Sequence, residues 1–188
     1  MRIITGTARG TKLKTLEGKE TRPTTEMCKE GVFSAIQFEL HDRIVLDLFG
    51  GSGQMALEAL SRGAERAVIV DSSRAACEII KENAQKTKLM KQCRVVTADW
   101  KEYIRGASGK ERFDLVFLDP PYALRLLPKV LAELYDADML NDGALVICED
   151  EEGGLHEDVM VEARYSLVKT NRYGRVHITI LTPITEEE

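Results

Sequence analysis

The sequence predicts an α/β fold: a mostly parallel sheet with helices on both faces, closed by an antiparallel hairpin and preceded by a short basic hairpin or arm. Three observations predict it. From residue 43 onward, short apolar runs rich in β-branched residues alternate with stripes of helical spacing. The runs are almost continuously apolar, the pattern of strands buried on both faces. At the end, Tyr165–Tyr173 and Val176–Leu181 are two strand-like runs joined at Gly174, as in a hairpin.

The elements follow in order. Residues 1–22 form a unit of their own, in which Ile3, Ile4 and Leu13 alternate with small and basic residues around Gly6 and Gly10. A helix starts at Arg22-Pro23-Thr24-Thr25, where Pro and Thr fit the opening turn. Cys28, Val32, Ile36 and Leu40, with Phe33 beside them, give it one apolar stripe. Residues 23–188 then make one domain. Its strands are Ile44–Phe49, Ala67–Val70, Arg94–Val96, Phe113–Leu118 and Ala144–Cys148. Helices carry Met55, Ala56, Ala59 and Leu60, then Ala76, Ile79, Ile80 and Ala84, then Leu126–Tyr135.

Composition narrows the class. The 188 residues are 44% hydrophobic and 30% charged, which fits a globular protein of one domain. Apolar runs such as Ala144–Cys148 fall far short of the roughly 18 residues that cross a bilayer. The first residues lack the apolar core of a signal peptide, so a cytoplasmic protein with no membrane partner is expected. Cys28, Cys77, Cys93 and Cys148 form no CxxC pair, and His41, His156 and His177 have no metal-ligand spacing with them. No metal is expected.

The net charge of −5 is unevenly spread. Residues 149–162 hold seven acids and no Lys or Arg, and Glu186, Glu187 and Glu188 end the chain. Setting those ten aside leaves 21 acids against 26 bases. Residues 1–22 hold Arg2, Arg9, Lys12, Lys14, Lys19 and Arg22 against Glu17 and Glu20. A basic end built on Arg2, Arg9, Lys12 and Lys14 is therefore expected to meet a polyanion such as RNA.

Four turns carry the chemistry. Asp47-Leu48-Phe49-Gly50-Gly51-Ser52-Gly53 lies between the first strand and its helix, where glycines allow close approach to a ligand. Gly51-x-Gly53-x-x-Ala56 satisfies the GxGxxA fingerprint, which alone leaves a nicotinamide cofactor open. Asp71, followed by Ser72, ends the second strand, where a carboxylate can accept from both ribose hydroxyls of an adenosine or merely cap a helix. Asp99 can hold an adenine amine, or act as an ordinary N-cap, and Trp100 can flank the ring. Asp119-Pro120-Pro121-Tyr122 closes the fourth strand. The prolines withhold N–H donors, Asp119 adds an acceptor, and Tyr122 offers a flat face. That set suits the NH2 group of a planar base. Hydrogen bonds to the amine favour a tetrahedral nitrogen, whose lone pair can attack an electrophilic methyl in line.

The ordered set of motifs resembles the RsmD-like methyltransferases. The matching pieces are Met1-Arg2-Ile3-Ile4-x-Gly6, Gly10-x-Lys12-Leu13, Thr21-Arg22-Pro23-Thr24-Thr25, Lys29-Glu30, Asp47-Leu48-Phe49-x-Gly51-Ser52-Gly53, Glu58–Ala64, Phe113–Tyr122 and Arg172-Tyr173-Gly174. The resemblance implies a Rossmann-like, seven-stranded class I methyltransferase sheet with S-adenosylmethionine as cofactor. It also implies methylation of the 2-amino group of a guanine in small-subunit (16S) ribosomal RNA, naked or in an assembled particle. Asp47, Phe49, Gly50, Gly51, Gly53, Asp71, Ser72, Asp99 and Trp100 would then bind the cofactor, and Asp119, Pro120, Pro121 and Tyr122 would be catalytic. Two departures stand out. Gly50 replaces the more usual Ala, read as a harmless change at a turn, and Asp71 replaces Glu with a shorter reach. Three rivals remain: an amino-methylase of adenine or cytosine in another nucleic acid, or of a small molecule; a nicotinamide-dependent oxidoreductase; and a catalytically silent RNA-binding assembly factor.

Overall fold

Strands buried on both faces need helices above and below, and the chain meets this with one seven-stranded sheet. The computed structural model describes residues 1–16 and 23–185. The strands are β1 (Ile44–Asp47), β2 (Arg66–Asp71), β3 (Cys93–Thr97), β4 (Phe113–Leu118), β5 (Leu140–Asp150), β6 (Tyr165–Tyr173) and β7 (Val176–Pro183). Their order across the sheet is β3-β2-β1-β4-β5-β7-β6. The first five are parallel, and the last two form an antiparallel hairpin, with β7 antiparallel to β5.

Successive strand residues point to opposite faces. Val45, Ile69, Leu115, Phe117 and Ile147 join one apolar cluster, while Leu46, Val68, Val70, Val116 and Val146 join the other. The first face is covered by α1 (Pro23–Ala35), α2 (Gln54–Ser61) and α3 (Arg74–Lys86), and the second by α4 (Trp100–Ala107), α5 (Leu127–Asp136) and the short α6 (Val159–Glu162).

The elements read from sequence are present, with four differences. α1 ends at Ala35, yet Ile36 and Leu40 stay buried through the turns that follow, because the stripe needs burial and not helical backbone. β5 begins at Leu140, ahead of a bulge between the Phe113 and Leu115 pairings that takes up Asn141, Asp142 and Gly143. α4 was not foreseen, nor was α6, which sets Val161 into the core from within the acidic stretch. Lys19, Arg22 and the tail Glu186–Glu188 lie outside the described residues.

The N-terminal residues form the expected hairpin: Arg2 bridges to Lys12, and Ile3 N–H donates to the Thr11 carbonyl at 3.0 Å. The hairpin is bound into the main core. Ile3, Ala8 and Leu13 are buried with α1 and α2. Glu58, fully buried on α2, accepts the backbone N–H groups of Ile4 (2.8 Å) and Thr5 (3.0 Å) and pairs with Arg62 at 2.9 Å. Buried Lys29 on α1 pairs with Glu58 at 3.4 Å and donates to the Arg2 carbonyl at 2.6 Å. Gly6 sits where a Cβ would come within 1.7 Å of the Ser61 carbonyl oxygen, at φ +90°, so only glycine lets the hairpin close on α2.

Removing Glu58 leaves Lys29 as an uncompensated buried charge and strips two backbone donors of their acceptor. Glu58→Ala should therefore lower stability by about 3–5 kcal/mol. Lys29→Met added to it should cost much less than the two single losses combined, because the pair acts as a unit. Chemical-denaturation midpoints of the four proteins would test both statements; additive losses would refute the coupling.

Candidate functional site

β1 pairs with β2 on one side and β4 on the other, so the turns after β1 and β4 separate and open a crevice at the strands' carboxyl ends. A cleft of about 710 Å³ lies there. Asp47, Phe49, Gly50 and Gly51 line it from the first turn, Asp71 and Ser72 from the second, Asp99 and Trp100 from the start of α4, and Asp119–Tyr122 from the turn after β4. Met1, Thr15 and Leu16 of the hairpin segment complete the rim.

The glycine turn is held by Asp71, whose Oδ2 accepts the Gly51 N–H at 2.9 Å and whose Oδ1 accepts the Ser73 N–H at 2.8 Å. A carboxylate has roughly four acceptor sites, so Asp71 can still serve hydroxyl donors from a ligand. Gly51 has φ +57° and open space where a Cβ would stand, which lets a ligand approach the backbone. Gly50 is different. A Cβ there would lie 2.5 Å from Ile69 Cγ2, so the turn packs against β2 and an alanine would need Ile69 to shift. Gly50 thus fits this packing without any movement of Ile69. Gly53 stands just outside the lining; it begins α2 with φ +79° and donates to the Gly50 carbonyl at 2.7 Å, which shapes the turn.

Asp99 is the N-cap of α4, with Oδ1 accepting the Lys101 N–H at 2.9 Å. Trp100 is 9% exposed and packs into the second apolar cluster, leaving one edge to the cleft. Asp47 is 3% exposed and accepts the backbone N–H groups of Phe49 and Ala56. Burial pushes its pKa up to about 7, and the charge of Asp71 works in the same direction.

Two carbonyls of the Asp119-Pro120-Pro121-Tyr122 turn are used locally. The Pro121 carbonyl accepts the Leu124 N–H, and the Tyr122 carbonyl the Arg125 N–H, each at 3.1 Å. The turn therefore offers fewer carbonyl acceptors than the prolines alone implied, and the Asp119 carboxylate is its main acceptor in the lining. Tyr122 is half-buried, and its hydroxyl donates to Glu149 Oε1 at 2.6 Å. Sequence reading placed Glu149 only within an acidic stretch. Its signal was positional: it follows Cys148 near the carboxyl end of β5, beside β4. Burial raises the Glu149 pKa, against the hydrogen bonds from Tyr122 and Cys28.

Four carboxylates, Asp47, Asp71, Asp99 and Asp119, line the cleft, and among the described residues no Lys or Arg does. This set fits a ligand with cationic centres and hydroxyl donors. A pyrophosphate on the glycine turn would lie against Asp47 and Asp71, which opposes a nicotinamide dinucleotide. On the outer surface, Arg2, Arg9 and Lys12 are exposed, and the cross-strand pair Arg2 and Lys12 share one face of the hairpin. Lys14 is exposed but paired with Glu82 at 2.8 Å.

A family model described as conserved hypothetical protein 95 matches residues 1–182. YlbH of Bacillus subtilis (strain 168), described as a candidate rRNA methyltransferase, is 37% identical over 161 residues, covering 85% of this chain and 88% of that protein. Ribosomal RNA small subunit methyltransferase D of Escherichia coli (strain K12) is 34% identical over 177 residues, covering 94% of this chain and 86% of that one. The solved structure of yhhF from Escherichia coli, described as a candidate methyltransferase, has a TM-score of 0.86 at 32% identity and covers 99% of both chains.

The raised pKa of Asp47 makes stability depend on pH. The folded state holds this proton more tightly than the unfolded chain, so the contribution is complete below about pH 4 and lost as pH rises through about 7. Between pH 5 and 7 the wild type should lose up to about 1.4 kcal/mol per pH unit relative to Asp47→Asn. Denaturant melts of both proteins across that range would check it; parallel pH profiles would refute it.

Proposed function

The chain belongs to the family described as conserved hypothetical protein 95, and on that premise we propose that it transfers a methyl group from S-adenosylmethionine to the 2-amino group of a guanine in small-subunit ribosomal RNA. One observation carries the reading. A carboxylate-lined cleft suited to a cationic adenosine ligand ends on the Asp119-Pro120-Pro121-Tyr122 turn, whose acceptor and aromatic ring suit a base amine. The similarity to a relative named ribosomal RNA small subunit methyltransferase D supports the substrate class.

When bound, S-adenosylmethionine supplies an electrophilic methyl group on a sulfonium. Asp71 would hold the ribose hydroxyls, Asp99 the adenine amine, and Trp100 would flank the ring, while the Gly51 turn would let the backbone come close. Asp47 faces the cationic part of the cofactor, a role that offsets the cost of burying its own charge. Tyr122 stacks on the target base. Asp119 would accept from the amine and stabilise the positive charge its nitrogen acquires, until that nitrogen releases its proton to water. Rigid prolines fix this acceptor against the strand end, so positioning supplies much of the rate.

The exposed cations Arg2, Arg9 and Lys12 hold RNA phosphates, so residues 1–22 act as an RNA-binding arm although Ile3, Ala8 and Leu13 share the core of the domain. Lys14 is the weakest member of that set, being already paired with Glu82. No helix among the described residues is long and apolar enough to cross a membrane. A place in the cytoplasm beside the ribosomal RNA, free or in a particle, accords with the reading.

Two measurements test it. Asp119→Ala should slow single-turnover methyl transfer to small-subunit ribosomal RNA by about 100-fold or more. Its cofactor affinity should stay near that of the wild type, whereas Asp71→Ala should lose about 1.5–3 kcal/mol of cofactor binding by calorimetry. Wild-type rates in the Asp119 variant would show the active site to be misplaced. Neutralising Arg2 and Lys12 together should weaken RNA binding whatever the sequence and reduce the salt slope by about 2. An unchanged slope would remove the arm from the interface.

A further inference from the structure

A second cavity, of about 880 Å³, lies against the same Asp119–Tyr122 turn. It shares Pro120, Pro121, Tyr122 and Leu126 with the cofactor cleft, and Glu149 lies in its wall. Tyr122 thus forms part of both walls. Its hydroxyl donates to Glu149 at 2.6 Å and also feels the charge of Asp119. The Cys28 thiol feels both charges as well, and lies 3.9 Å from Glu149 Oε2. Two carboxylates therefore address the space around one stacking ring. Tyr122 and Cys28 account for two of the roughly four acceptor sites on the Glu149 carboxylate, so it can accept further donors.

Base edges differ in what they present to such a pair. Guanine carries N–H donors on two adjacent positions, the ring N1 and the 2-amino group. Adenine and cytosine carry an amine beside a ring nitrogen that is itself an acceptor. A second carboxylate next to the one that holds the amine accepts the guanine N1–H and opposes the lone pair of the other two bases. We infer that Glu149 is the specificity-determining residue for guanine: it accepts the N1–H of the target base while Asp119 accepts from the 2-amino group. The inference rests on the methyl-transfer reading above and adds to it the means by which the base is chosen.

The test compares RNA carrying guanine at the mapped target position with the same RNA carrying 2-aminopurine. The analogue keeps the 2-amino group but has an unprotonated N1. Single-turnover rates are measured at saturating S-adenosylmethionine. The wild type should prefer guanine by about 10- to 100-fold, the usual consequence of facing a buried acceptor with another acceptor. Glu149→Gln keeps an oxygen for the Tyr122 hydroxyl but gains an NH2 donor that can serve an unprotonated N1. It should reduce the preference to within a few-fold, with cofactor affinity unchanged. Tyr122→Phe removes the hydrogen bond and keeps the carboxylate, so it should slow transfer yet retain the preference. The inference is overturned if Glu149→Gln discriminates like the wild type. Loss of discrimination in Tyr122→Phe would also overturn it, because Glu149 would then act only by anchoring the ring. Equal wild-type rates on the two RNAs would sink the inference and leave the methyl-transfer reading standing. No wild-type transfer to the guanine RNA would sink both.

Discussion

The site depends on where β1 sits in the sheet. With β2 on one edge and β4 on the other, the connections that leave β1 and β4 must pass to opposite faces. They do: Leu57 and Leu60 of α2 pack in one apolar cluster, and Val130 and Leu131 of α5 in the other. The carboxyl ends of the two strands are left uncovered between them. The glycine turn and the Asp-Pro-Pro-Tyr turn therefore flank one crevice although about 70 residues separate them. Neither turn could make the site alone, since each supplies only part of the crevice's lining.

The same geometry explains the charge in the cleft. Asp47, Asp71 and Asp119 each end a parallel strand or follow it directly, so the sheet brings their carboxylates together. Like charges and burial both oppose ionisation, and Asp47, buried deepest, shows the effect in its raised pKa. The fold limits the cost with backbone donors. Phe49 and Ala56 serve Asp47, Gly51 and Ser73 serve Asp71, and Lys101 serves Asp99. Such a cluster gains most from a cation, because a positive ligand offsets the mutual repulsion of the carboxylates.

What the sequence made legible follows from which signals are local. A strand buried on both faces must be apolar at nearly every position, so β1, β2 and β4 could be read directly, whereas the exposed edge strand β6 was legible only through its partner run β7 across Gly174. The glycine turn, Asp71 and Asp119–Tyr122 were legible because each closes such a strand. α4 was not: its buried face is only Trp100, Tyr103, Ile104 and Ala107, and Lys101, Glu102, Arg105 and Gly106 fill the rest of its two turns. α6 is a single turn inside an acidic run, and nothing local marks Val161 as core. The hairpin read as a separate basic unit because its tie is distant. Glu58 accepts from Ile4 and Thr5 across more than 50 residues, and sequence alone gives no sign of that pairing. Glu149 was hidden differently, since its neighbours in sequence are acids of the same kind while its partner Tyr122 lies on another strand's turn.

The acidic stretch, whose charge opposes that of an RNA-binding surface, acquires a role once it is placed in the fold. Glu149, Asp150, Glu151, Glu152, Glu157 and Asp158 line the second cavity, and Arg125 offsets only Glu152 there. The exposed cations Arg2 and Lys12 stand on the hairpin, whose Met1 and Thr15 reach the rim of the cofactor cleft. A phosphate backbone is drawn to the cations and repelled by the carboxylate wall. A neutral base edge rich in N–H donors is not repelled by that wall and finds acceptors in it. Under the proposed function this pattern separates the two parts of a nucleotide, with the phosphates at the hairpin cations and the base at the acceptors. A net charge of −5 is then compatible with RNA chemistry, because six of the acids lie in this one wall while Arg2, Arg9 and Lys12 are exposed on the hairpin.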